Sequence, residues 1–381
     1  MAKASVEYSA LPFDEAIAFF RQKLAMPTRH FDDLVGGMHA KGFMVAGIMK
    51  ADLLTDMRTA VDRAISKGDT LEDFRENFDK IVEKHGWVYK GGRNWRTKVI
   101  YHTNLRQSHN AGRWEQMTDP DVVKLRPYLM YRHSGSAHPR KRHLAWNGLV
   151  LAYNDSFWDT HSPQNGWGCN CSLDSLSRRD LKRMGKAVPD TAPEIKYREY
   201  EDREGNKHKV PVGIDPGFDY NVGKAADKSY KVLADRFESL DYQIAKPFMN
   251  EFLQGPVFKR FYEGKIKGEF PVAVLSPGDK KTLGSKAQTV WLSKTTIDEH
   301  KIKHPEILRE DYLNIPEIIE NGEVYKQGNA RLVFLFAKKG RLYRAALKRT
   351  KARKENFYLT LFTTRDDLAQ LQVRDKFERV R

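Results

Sequence analysis

His161-Ser-Pro-Gln-Asn-Gly-Trp-Gly-Cys-Asn-Cys171 contains both cysteines of a 381-residue chain. Thiols are scarce and reactive, so their confinement to one turn-rich run gives this segment a particular job. In extended backbone, residues i and i+2 point to the same side, which lets Cys169 and Cys171 face one ligand. Two thiolates and two imidazoles complete a zinc tetrahedron. Of the nearby histidines, His143 and His161 are the preferred pair, since both lie in Trp-rich surroundings that could bury a site. The alternatives are a tight structural staple, or a packing turn in which the cysteines are small buried hydrophobes. A Cys-x-Cys disulfide would be strained.

Around this run the sequence changes character. Residues 127–176 lose helical periodicity and are dominated by Gly, Pro, Asn, Trp and His, which reads as a loop-rich unit with short strands. Upstream the chain reads as helical. Pro12-Phe-Asp-Glu-Ala-Ile17 opens a helix with a proline and early acids. Leu53, Leu54, Met57, Val61, Ala64 and Ile65 recur at helical spacing, and a third helix is expected over 95–117 with Val99, His102, Leu105 and His109 along one side. Downstream, 197–209 suggests an exposed hairpin, and Asp215-Pro-Gly217 is a turn signal. Tyr230, Leu233, Phe237, Leu240 and Ile244 are spaced as one helical face. Residues 276–286 read as a linker, with a domain boundary near 264–286. The last hundred residues read as α+β: a strand at 289–293, helices at 296–304 and 315–321, and strands at 331–337, 341–348 and 356–363, with Lys339-Gly340 as a hairpin turn.

Net charge is +16, which favours a polyanionic partner, nucleic acid or an acidic protein surface. The longest apolar runs fall far short of the roughly 20 residues needed to span a bilayer, so no membrane role is expected. Two cysteines make no disulfide framework, and a reducing compartment is expected. Charge is concentrated late: residues 338–354 carry nine Lys/Arg and no acid, with Tyr343, Phe357 and Tyr358 interleaved or adjacent. Cations beside aromatic faces can hold a nucleic-acid strand through phosphate contacts and stacking. Just upstream, His300 and His304 are four residues apart and share a helical face, where one imidazole could act as base and the other as acid.

Several blocks in order then carry a resemblance. His143-Leu-Ala-Trp-Asn-Gly148, Asp155-Ser-Phe-Trp-Asp-Thr-His161 and Pro163-Gln-Asn-Gly-Trp-Gly-Cys-Asn-Cys171 resemble the module of phage Mu F-like head morphogenesis (minor capsid) proteins. Pro216-Gly-Phe-Asp-Tyr-Asn-Val-Gly223 is similar to that family's closing segment, and the stretch from Pro12 to Lys23 to its helical opening. The resemblance covers roughly residues 10–225. Where many relatives have Arg-Thr-Glu, this chain has His102-Thr103-Asn104, so no role is carried over for that triplet. The resemblance implies a virion component in the phage head interior near the portal. It would be present in host cytoplasm during assembly, with portal and capsid proteins and packaged DNA as partners.

A second resemblance covers about residues 270–381. Val290-Trp-Leu-Ser293, Lys303-His-Pro-Glu-Ile307, Tyr343, Lys348 and Tyr358-Leu-Thr360 look like phage-borne nuclease domains of the barnase/EndoU/colicin E5-D/RelE type, a helix packed on an antiparallel sheet. It implies a metal-independent, toxin-type endoribonuclease with an RNA substrate and an immunity protein. His304, Lys348 and Thr360 are the catalytic candidates, followed by His300 and Ser293. Arg344 is the nearby Arg that would stabilise charge on the phosphoryl oxygens. This domain needs no cofactor; zinc is expected only as a structural ion at the cysteines. The alternative is a purely structural or DNA-packaging protein whose last domain binds nucleic acid or a capsid partner. The expected organisation is therefore α+β: a helical region (1–125), the loop-rich Mu F-like module (126–225), a helical connector (226–269) and a basic nuclease-like domain (270–381).

Overall fold

The computed structural model describes residues 13–203, 205–364 and 367–381 and shows the expected α+β class. The chain forms two compact units. One is built chiefly from residues up to Asp227; the other holds Lys228–Arg381 with the short segments Leu24–Pro27 and Met49–Ala51.

In the first unit, helix α1 (Asp14–Arg21) has acids in its first turn and buries Ala16, Ile17, Phe19 and Phe20. Pro12, expected to open it, lies outside the described residues. Helix α2 (Ala51–Lys67) buries Leu53, Leu54, Met57, Ala60, Val61 and Ala64, the face expected from spacing. Helix α3 (Leu71–His85), not anticipated, starts at a reciprocal Thr70–Asp73 capping box and stops at left-handed Gly86. Helix α4 (Arg93–Met117) is the expected third helix, but its buried stripe is Thr97, Ile100, Gln107, Ser108, Ala111, Gly112, Trp114 and Met117. The expected face of Val99, His102, Leu105 and His109 is not that stripe: His109 is exposed and the other three are half-buried. The reason is close helix packing. Near Gly112 the backbone of α1 comes so near that a Cβ would stand 2.8 Å from both the Ala16 nitrogen and the Phe13 ring. Small residues, not large apolar ones, mark this contact.

The loop-rich region holds a three-stranded antiparallel sheet. Strand β1 (Tyr128–Arg132) is central, flanked by β2 (Val150–Ala152) and β3 (Ser172–Leu176). Short helices α5 (Lys141–Ala145) and α6 (Trp158–His161) sit in its connections. The expected hairpin is β4 (Tyr197–Glu201) paired with β5 (Lys207–Pro211). Asn221 then caps α7 (Val222–Ala226), whose Val222 and Ala225 pack with Phe19, Ala111 and Tyr220. The closing segment thereby folds back onto the opening helices.

In the second unit, the single helical face expected from Tyr230 to Ile244 is broken. A 3-10 turn (Tyr230–Leu233) and α8 (Ala234–Ser239) end at extended Leu240, and Asp241 caps a new helix, α9 (Tyr242–Gln254), by accepting from the Gln243 N–H. Helix α10 (Pro256–Tyr262) follows. The expected linker at 276–286 contains an ordered helix. After strand β6 (Glu269–Val274), Ser276 caps α11 (Pro277–Leu283), with Pro at its first position and left-handed Gly284 at its end. Strand β7 (Thr289–Ser293) leads into α12 (Lys294–Lys303), and α13 (Ile315–Asn321) precedes β8 (Glu323–Gln327). Strands β9 (Arg331–Lys338), β10 (Arg341–Arg349) and β11 (Asn356–Thr364) match expectation. Helix α14 (Asp367–Lys376) and β12 (Glu378–Arg379) close the chain.

The seven strands run in the order β12-β8-β9-β10-β11-β7-β6. The sheet is not purely antiparallel: β11 pairs in parallel with β7 at Asn356↔Val290 and Phe357↔Trp291. Phe258, Phe261 and Phe270 form an aromatic cluster where α10 meets β6. A Gly112→Ala variant tests the α1–α4 contact. Overpacking against fixed backbone is expected to destabilise the first unit by about 1–3 kcal/mol. Chemical denaturation measures it, and an unchanged midpoint would refute the close approach.

Candidate functional site

The turn Gly166–Cys169, closed by a Cys169 N–H to Gly166 carbonyl bond, leads through residues 169–171 into β3. It is clamped from outside. Arg140 pairs with Asp215 at 2.9 Å and donates to the Trp167 carbonyl, and Asp215 accepts from the Trp167 N–H. A Cβ at Gly166 would stand 2.1 Å from the Arg140 guanidinium and 2.4 Å from the Asp215 carboxylate, so any other residue would displace this pair.

Inside the clamp, His143, Cys169 and Cys171 are 2%, 6% and 3% exposed. Their ligand atoms all lie within 4.8 Å of one another. The His143 Nδ1 is 3.6 Å from the Cys169 Sγ and 3.8 Å from the Cys171 Sγ, and its Nε2 is 2.9 Å from the Gly213 carbonyl oxygen. A carbonyl only accepts, so the proton sits on Nε2 and the Nδ1 lone pair faces both sulfurs. The hydrogen bond between the two sulfur groups, with burial, pushes the Cys169 thiol up, while the same bond holds Cys171 down.

His161, the other expected ligand, is not part of this cluster. Its ring stacks on Phe157 at 4.1 Å and meets Trp146 edge-on at 4.8 Å, whereas His143 stacks on Trp146 at 5.4 Å. Its Nδ1 bonds the Thr160 hydroxyl. Burial pushes its pKa down to about 4. Trp146, Phe157, Trp158, Tyr131, Ile214 and Phe218 form the core around both cysteines.

In the second unit, the two histidines four apart have different fates. Strand β7 pairs with only the first two residues of β11 before turning into α12. His300 takes over that free edge: its Nε2 donates to the Leu359 carbonyl at 3.1 Å, and its Nδ1 accepts from the Tyr312 hydroxyl at 2.8 Å. Both nitrogens are used, and burial lowers its pKa. Ser293 serves as the N-cap of α12, accepting from the Thr296 N–H. His304, at the end of α12, is half-buried; its Nδ1 lies 3.2 Å from Glu306 and its ring stacks on Phe362 at 5.4 Å.

The cationic run is partly absorbed by structure. Lys338 pairs with Glu317, Arg341 with Asp311 at 2.8 Å, and Arg349 donates to the Leu283 and Asn329 carbonyls. Among the described residues, Arg344 and Lys348 form no ion pair. They share one face of β10, and their cross-strand partners on β11 are Phe362 and Phe357, with Thr360 opposite Ala346 between them. Arg344 lies over the Phe362 ring at 5.4 Å, and burial lowers its pKa. His304, Phe362 and Arg344 therefore meet at one end of this face. Lys348 stands four residues along the strand, about 13 Å from Arg344. Thr360 lies between, half-buried. The arrangement is a track of alternating cations and aromatic rings, not one closed cleft.

Residues 55–174, most of the ordered blocks of the first unit, match the family described as Phage Mu protein F like protein. Protein F of Escherichia phage Mu, named for a proposed role in capsid assembly, is 32% identical over 244 residues, covering 57% of this chain and 55% of that protein. The Mu-like prophage FluMu F protein of Haemophilus influenzae is 26% identical over 212 residues, covering 49% of this chain and 51% of that protein. The chain thus spans just over half the length of these relatives. No solved structure matches. The closing segment 216–223 and the opening helix lie outside the family match, although they pack onto the same unit. Among the described residues, no helix is long and apolar enough to cross a membrane.

The His161 pKa predicts acid sensitivity. Unfolded His161 takes up a proton near pH 6.5 and the folded group only near pH 4, so the unfolded chain binds more protons between these values. Stability is then expected to fall by roughly 2–3 kcal/mol as pH drops from 7 to 4.5. In chelator-containing buffer, His161→Gln should flatten that loss; parallel pH profiles for variant and parent would reject the assignment.

Proposed function

We propose that this protein assembles phage heads, acting near the portal inside the virion of a Mu-like phage or prophage. The observation that carries this is the match of residues 55–174 to the Mu F-like family, supported by the 32% identity to a relative named for capsid assembly. The net charge of +16 suits a protein that meets packaged DNA and acidic capsid or portal surfaces. Amber disruption of the reading frame is expected to give heads that fail to mature or fill, and mass spectrometry of purified particles should find the protein in wild-type heads. Filled, infectious particles from the disrupted frame would overturn the role.

Within this reading, the second unit binds nucleic acid along the Arg344–Lys348 face. Two cations that form no ion pair among the described residues, flanking rings and a hydroxyl on one sheet surface support phosphate contact and stacking. Lys348→Glu with Arg344→Glu is expected to weaken single-stranded oligonucleotide binding at least tenfold and to flatten its dependence on salt, since two phosphate contacts are lost. Anisotropy titrations at two salt concentrations measure this; unchanged affinity would remove the face from the interaction.

A ribonuclease reading is favoured by one further observation: His304, 3.2 Å from Glu306, and Arg344 both lie against the Phe362 ring, which brings an imidazole and a cation able to hold a phosphoryl oxygen to the same end of this face. Lys348 and Thr360 then position the strand, and an immunity partner would cover the face. Full-length protein in EDTA should cleave total RNA, and His304→Ala should lose cleavage while keeping binding. Binding without cleavage by the parent would leave the nucleic-acid-binding role alone.

A further inference from the structure

We propose that His143, Cys169 and Cys171 bind one zinc ion through three protein ligands, with the fourth position held by water and not by His161. The geometry supports the ion before any metal is considered. Zinc bonds of about 2.3 Å to sulfur and about 2.0–2.1 Å to nitrogen, set at tetrahedral angles, place nitrogen and sulfur about 3.6 Å apart. The His143 Nδ1 stands 3.6 and 3.8 Å from the two sulfurs. All three groups are buried, and a buried cluster with so few other polar partners is costly unless something satisfies it.

A second observation is independent of those distances. The Gly213 carbonyl oxygen stands 2.9 Å from the His143 Nε2, on the far side of the imidazole from the sulfurs. It fixes the proton on Nε2, the outer-shell support that metal-bound histidines ordinarily have. Gly213 is in the left-handed region (φ +102°), and a Cβ there would stand 2.9 Å from Arg142 and 3.0 Å from Trp146, so the carbonyl's position depends on glycine.

The three-ligand assignment follows from Trp146. Its indole stacks against His143 and takes His161 edge-on, and His161 is already committed to Phe157 and to the Thr160 hydroxyl. This inference is independent of the head-assembly role, and its failure would leave that role standing.

The test uses the full-length chain. Protein purified from zinc-supplemented medium is expected to hold one zinc per chain by elemental analysis. Exchange for cobalt(II) should give a thiolate-to-cobalt charge-transfer band with tetrahedral d–d absorption. Cys169→Ser, Cys171→Ser and His143→Ala should each lose most of the metal, and His161→Ala should retain it. The cobalt spectrum of the parent needs no variant to fold. A parent without zinc and without a thiolate–cobalt band would overturn the site and leave two hydrogen-bonded thiols. A His161→Ala protein with native circular dichroism but no bound metal would overturn the ligand set.

Discussion

Between Tyr128 and Gly223 the chain has too little regular structure to satisfy its own backbone, and the rest of the first unit depends on how that deficit is met. Buried N–H and C=O groups must find partners. Here side chains supply them. Asp215 takes the Trp167 N–H, Arg140 the Trp167 carbonyl, His143 the Gly213 carbonyl and Asn221 the Trp158 carbonyl. Each of these side chains lies far in sequence from the group it serves. The loops are thus fixed relative to one another by cross-links between blocks, and the aromatic core fills the space they enclose.

The second unit is organised differently. Its seven-stranded sheet satisfies the backbone by register, and side chains are released for surfaces. Many of its charged side chains are tied into the fold, whereas the short stretch of β10 and β11 displays Arg344, Phe362, Thr360 and Lys348, with no ion pair at Arg344 or Lys348 among the described residues. A reading of charge along the chain marks this region. Only the register separates the cations that hold the fold, such as Arg341 and Arg349, from those left to meet a partner.

Periodicity was enough to locate α2, where apolar residues follow the buried face, and strands β9, β10 and β11 were also legible; the hairpin at 197–209 was read from its polar, mixed-charge composition. Periodicity misplaced the face of α4, where helix contact is made by Ser108, Ala111 and Gly112, residues that carry little hydrophobic signal. It joined Tyr230 to Ile244, since spacing is blind to the Asp241 cap that restarts the helix. Ser276-Pro-Gly-Asp looked like a linker, though the same residues are a strong helix start. At the cysteines, the same-side geometry of an i, i+2 pair was legible, and so was His143. The separation of His161 was not, because it depends on where Trp146 lies between blocks distant in sequence.

The two outer strands of the large sheet share a property with consequences beyond the single molecule. Strand β12 is only two residues long, and β6 carries Pro271, which has no N–H to offer, with a register shift beside it. Where β7 stops short along β11, the Leu359 carbonyl is already occupied by His300. A two-residue border strand and a proline-bearing one are both poor templates for a strand of a neighbouring copy. Association through the borders of this sheet is therefore left to side chains and not to backbone pairing.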